Sequence, residues 1–65
     1  MKTIHEGLQD IIQALEDRRL DAQKFDEGNA AAGRRVTKTL SNAMKECKAL
    51  RKGVYDIRHA RMHGP

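Results

Sequence analysis

Side chains from which catalytic or metal sites are usually built are sparse in this sequence. There are three histidines (His5, His59, His63), one cysteine (Cys47) and a few adjacent carboxylates such as Glu16 and Asp17. His59 and His63 stand four apart, so on a helix they share a face, which suits a metal on geometry alone. No carboxylate stands at ligand spacing beside them, and they fall at the end of the chain, where a frayed, solvated helix terminus is the plainer reading. Cys47 has no histidine at helical contact spacing, Ser41 has no base, and Glu16 and Asp17 read as ordinary solvated helix residues. The stretch "GNAAAG", 28–33, lacks the Lys-Ser/Thr ending and the preceding strand of a phosphate-binding loop. The sequence therefore predicts no enzyme, metal site, cofactor or small-molecule substrate. A lone cysteine also excludes an internal disulfide and fits a reducing compartment.

The chemistry that is abundant is charge. Residues 1–28 hold seven acids against four bases, a net −3, and residues 29–65 hold nine bases against Glu46 and Asp56, a net +7. Such asymmetry points towards a nucleic acid or an acidic surface. On a helix advancing 100° per residue, Arg34, Lys38, Lys45, Lys48 and Lys52 lie opposite Val36, Leu40, Cys47 and Val54. Arg35 lies at the edge of that stripe, and Arg51, Arg58 and Arg61 fall closer to the apolar side. With Thr37 and Ser41 between them, these bases suit contact with successive backbone phosphates. A plain solvated face is the competing reading, with the acids of the first half neutralising some of the bases. Phe25 and Tyr55 are the only aromatic residues, so a stacking platform for single strands is not expected. Binding should depend weakly on sequence and steeply on salt, and phosphate contacts alone do not separate DNA from RNA. No apolar run approaches the ~20 residues of a membrane span, and the N-terminus lacks the apolar core of a signal peptide. A soluble, cytoplasmic protein is expected.

Two helical elements must carry this charge. Ile4, Leu8, Ile11, Leu15, Ala22 and Phe25 step by fours and threes, with Ile12 widening the stripe and Arg18 interrupting it. That pattern predicts a helix over about 3–25. Leu20 falls nearly opposite, as a scattered exposed leucine, the favoured reading, or as a contact with another chain. Val36, Leu40, Ala43, Cys47, Leu50, Val54 and Ile57 continue the period through three heptads without a proline, with Met44 broadening the stripe. They predict a second helix over about 30–61, in which Cys47 is a small core hydrophobe. Gly28 and the capping type of Asn29 place a turn at 26–29, and "HGP" at 63–65 would stop the second helix. Phe25 would face the small residues Ala30 to Gly33 across that turn, letting the two backbones approach.

The expected architecture is thus all-α, an antiparallel two-helix hairpin forming one domain over 1–65. Helices of roughly 34 and 47 Å do not match in length. Ile4 should fall near position 51, leaving Val54 and Ile57 beyond the reach of the first helix. Leu50, Val54 and Ile57 are therefore the candidate oligomer interface, in a dimer or a four-helix-bundle-like assembly. A chain this short is marginal as a monomer, which points the same way.

The segment "KFDEGNAAAGRRVTKTLSNAMKECKALRKGVYDIR", 24–58, resembles the small bacterial linker-histone-like proteins of the chlamydial type. The matching positions are Gly28, Asn29, Ala30, Ala31, Ala32, Arg35, Val36, Lys38, Leu50, Arg51, Lys52 and Val54. The resemblance implies a nucleoid-associated, histone-like protein that binds double-stranded DNA without sequence preference and compacts it. Members carry a long Lys-rich tail, whereas this sequence stops at "HARMHGP", so the resemblance implies a short form that would use the helical hairpin itself. The DNA-contacting residues expected are Arg34, Arg35, Lys38, Lys45, Lys48, Arg51, Lys52 and Arg58. The alternative is a helical oligomerisation or protein-interaction module, docking a partner around Val54, Ile57 and Met62 without touching DNA.

Overall fold

The computed structural model describes residues 2–62 and consists of helices joined by short turns, with no strand among the described residues. Its elements are α1 (Ile4–Glu16), α2 (Arg19–Asp26) and α3 (Ala30–Met62). The start of α1 is set by a reciprocal cap. Thr3 Oγ1 accepts the Glu6 N–H at 3.1 Å, and the Glu6 carboxylate accepts the Thr3 N–H at 3.1 Å. Two of the amide groups left open at a helix start are satisfied this way. The same bonds, the one from the Thr3 backbone foremost, hold the Glu6 carboxyl below its ordinary range.

The single first helix expected over 3–25 is in fact two. Asp17 and Arg18 form a turn between α1 and α2, with Arg18 at φ −103° and ψ 2°. Arg18 occupies the step at which an apolar side chain would have met α3. Its guanidinium Nε instead donates to Thr39 Oγ1 on α3 at 3.0 Å. A polar link thus stands where the apolar seam would have continued, and the first arm bends there.

The turn falls where expected. The Gly28 N–H bonds the Phe25 carbonyl at 2.9 Å, and the Asn29 N–H bonds the Lys24 carbonyl at 2.9 Å. Together they form a Schellman ending, which needs a residue at positive φ; Gly28 supplies it at 106°. Asn29 then caps α3, its Oδ1 accepting the Ala32 N–H at 3.1 Å. α3 continues through Gly53 without a break to Met62. The "HGP" stop lies outside the described residues.

Both α1 and α2 lie against α3, and the closest approaches occur at small residues. A Cβ built on Gly33 would stand 3.0 Å from the Phe25 ring, and one on Gly7 would stand 2.6 Å from Leu50 Cδ1. At the far end Ile4 Cδ1 sits beside Gly53. The buried residues are Ile11, Ala32 and Ala43, and no large side chain is fully buried among the described residues. The expected seam is therefore corrected in phase. Leu40 is half exposed and Cys47 is exposed, so Cys47 is not a core residue. Ala32, Thr39 and Gly53, which the apolar count passes over, occupy the inner positions instead. In a two-helix layer the line of closest approach favours small side chains, and bulkier ones flank it.

The molecule is long and thin, 57 × 17 × 15 Å, with a radius of gyration of 15.9 Å. A compact chain of this length would have a radius of about 11 Å. It exposes 5743 Å², against about 4,200 Å² for a compact monomer of its mass.

Candidate nucleic-acid interface

α3 positions every base of the second half. Arg34, Lys38, Lys45 and Lys48 are exposed on its outer side, away from α1 and α2, and none forms an ion pair among the described residues. Lys52 extends the line, with its Nζ 3.4 Å from Asp56 Oδ2 one turn on. Both side chains of that pair are mostly exposed, 80% and 67%, so the contact is weak and readily exchanged for a phosphate. The Arg51 guanidinium sits over the Tyr55 ring at 5.7 Å, and Arg58 is exposed.

Arg35 is placed differently from the other expected contacts. Its Nε and Nη2 donate to Asp21 Oδ1 at 3.1 and 3.0 Å. These hydrogen bonds hold the Asp21 carboxyl below its ordinary range and raise Arg35 above its own. Arg18 stands 3.7 Å from the same carboxylate. Arg35 thus serves as a tie between α2 and α3, and it stands apart from the free outer bases.

Several other acids of the first half find partners within their own arm. Glu16 pairs with Arg19, Asp17 accepts from Gln13, and Asp10 pairs with Lys2, raising that lysine. Only Asp21 crosses to α3 in an ion pair among the described residues. Among the described residues Arg34, Lys38, Lys45 and Lys48 keep their charge unpaired, while Arg35 is neutralised by Asp21 as the competing reading of the charge pattern expects for some of the bases.

Of the oligomer residues expected from the sequence, Leu50 turns inward and lies against Gly7. Val54 is half-buried and Ile57 is 40% exposed. The three do not form one outward surface. No group of three metal-ligating side chains gathers among the described residues. His59 is placed on α3, but His63 lies outside the described residues, so their pairing is not seen. "GNAAAG" is used as a helix ending followed by a helix start.

Two features escaped the sequence reading. The Thr3-x-x-Glu6 spacing is a legible capping signal. The Arg35–Asp21 and Arg18–Thr39 links had none, because pairs 14 and 21 residues apart become neighbours only when the chain folds back.

No curated protein and no solved structure matches the chain. The family model described as "Histone H1-like protein Hc1" matches residues 5–60. That span takes in α1 from its second residue, α2, the turn and nearly all of α3, the charged helix included. The chain therefore belongs to the histone H1-like Hc1 family.

Proposed function

We propose that this protein binds double-stranded DNA without sequence preference, through the outer face of α3, and organises or compacts it as a non-enzymatic nucleoid-associated protein. It acts as a homo-oligomer, each protomer an antiparallel hairpin. The observation that carries the reading is the unpaired row Arg34, Lys38, Lys45 and Lys48, continued by Lys52 along one side of a single helix. From Arg34 to Lys52 that row covers about 27 Å, enough to follow several phosphates. Arg51 and Arg58 flank it. Membership of a histone H1-like family agrees with this chemistry. Residence at the nucleoid in the cytoplasm follows from the same reading; among the described residues no helix is long and apolar enough to cross a membrane.

Electrophoretic shift with a random duplex across a salt series tests it. Each phosphate neutralised should contribute about −0.9 to the slope of log K against log salt, so four or five contacts give a slope near −4. Replacing Arg34, Lys38 and Lys45 with Glu should abolish the shift. Binding indifferent to salt, or no binding at low salt, would sink the proposal. A competing protein-interaction role has some support from the exposed end of α3, where Ile57 is 40% and Met62 is 78% exposed. Partner docking there would survive the triple replacement. Competition by duplex RNA decides between the two acids.

A further inference from the structure

The two long sides of the molecule differ in chemistry. One helical turn beyond the inner residues Ile4 and Ile11 stand Leu8 and Leu15; one turn beyond Val36 and Ala43 stand Leu40 and Cys47. Because α1 and α3 run in opposite directions, these positions fall on the same side of the layer. Ile12 and Met44 lie next to them. Leu8, Ile12, Leu15, Leu40 and Met44 are 49%, 59%, 40%, 50% and 73% exposed, and Cys47 is exposed with them. On the opposite side, Asp17 and Arg18 share a groove with Thr39, Asn42 and Glu46. One side is thus polar and the other a continuous apolar face.

What covers that face follows from area and charge. The chain exposes about 1,500 Å² more than a compact monomer of its mass would, and a standard interface takes about 800 Å² from each partner. A second copy of the chain supplies a matching face, since a twofold contact pairs a surface with itself. Two such pairings exist. With the twofold axis across the helices, α3 lies on α3 and α1 on α1, which sets a half of net +7 against another of net +7 and a half of net −3 against its like. With the axis along the helices, each α3 lies on the partner's α1. That arrangement sets a half of net +7 against a half of net −3. Like charges brought together at an interface are strongly disfavoured, so the alternating arrangement is selected.

We infer that two copies dock through the face of Leu8, Ile12, Leu15, Leu40, Met44 and Cys47, each α3 over the partner's α1, so that the two lysine stripes point to opposite sides and one dimer joins two duplexes. The joining of duplexes rests on the DNA-binding function proposed above; the docking does not. The interface differs from Leu50, Val54 and Ile57, since Leu50 is already covered by α1.

Sedimentation of the full chain should give the dimer mass. Met44→Glu should give a monomer or lose helicity, whereas Leu20→Glu, at a residue of α2 that is 70% exposed and outside the proposed face, should keep the dimer. A Met44→Glu protein that stays dimeric overturns the proposal. Distances between spin labels settle the arrangement independently of that variant. In a Cys47→Ser background, labels at Leu40→Cys and at Val54→Cys should each lie close to their own copies, with similar distances. In the crossed arrangement the separation changes by about 3 Å per residue, so at least one label pair would exceed about 20 Å, and that result overturns the proposal. Two differently coloured duplexes should then appear in one complex. A dimer that binds DNA but never holds both colours overturns the opposed stripes. A dimer with the expected distances and no affinity for DNA supports the docking and removes the functional reading instead.

Discussion

The two ends of α3 are built on different principles. Near the turn, the helix is held by contacts that its own chain supplies: the Asn29 cap, the Phe25 ring on Gly33, and the Arg35–Asp21 pair. At the other end Ile4 sits beside Gly53, and the nine residues from Val54 to Met62 follow it on α3. The first end is closed by local geometry and small side chains. The second is the open end, where α3 continues past Gly53 as one helix to Met62.

Gly33→Val should break the closed end most severely. A Cβ at that site already stands 3.0 Å from the Phe25 ring, so a branched side chain must push α2 off α3. A loss of about 1–3 kcal/mol is expected in urea unfolding at fixed protein concentration, as for overpacked sites generally. Gly28→Ala should come next, at about 1–2 kcal/mol. Nothing lies within 4 Å of the added methyl, so the whole cost is that of a backbone at φ 106°. If this variant unfolds like the parent, the turn does not hold the closed end.

Gly53→Ala probes the open end and should have the opposite sign. Its nearest neighbour, Ile4 Cδ1, would be 3.5 Å from the new carbon, an ordinary contact. Removing a glycine from a helix interior then stabilises by roughly 0.8–1 kcal/mol. A destabilised Gly53→Ala would mean that the two ends are packed alike.

The smallest effect is that of acid. Asp21 titrates lower when folded than when unfolded, chiefly through the hydrogen bonds from Arg35. Its contribution is therefore complete above the ordinary aspartate range near 4. It fades as pH falls through the lowered folded value. Circular dichroism followed from pH 6 to pH 2 should show a slight loss of melting temperature confined to the acid end, and Asp21→Asn should remove part of that dependence, Glu6 contributing with the same sign. An unchanged acid profile in Asp21→Asn would assign the dependence to other carboxylates, such as Glu6 in the α1 cap.

Much of the architecture was legible because helices are written in local terms. The spacing of Ile4, Ile11, Val36 and Ala43 marks two helical arms, and Gly28-Asn29 marks the reversal between them. The basic stripe was legible too, since Arg34, Lys38 and Lys45 share a helix face whatever the helix packs against. The break at Asp17–Arg18 was visible only as a polar residue in an apolar row, and its partner Thr39 is 21 residues away. The phase of the α3 seam misled for a related reason. Counting apolar residues locates the face that avoids water, not the line along which two helices touch.

The sequence by itself determined that the chain is helical, where it turns, and that its acidic arm precedes a basic one, because periodicity, capping and charge act over a few residues. Tertiary structure alone decided which residues of α3 lie inward, that Cys47 and Leu40 remain exposed, and that Arg35 goes to Asp21. These depend on the distance between helix axes, which Gly7 and Gly33 set by letting Leu50 and Phe25 come close to the facing backbones. Contact at that distance favours small side chains at the centre and leaves the large ones at its edge.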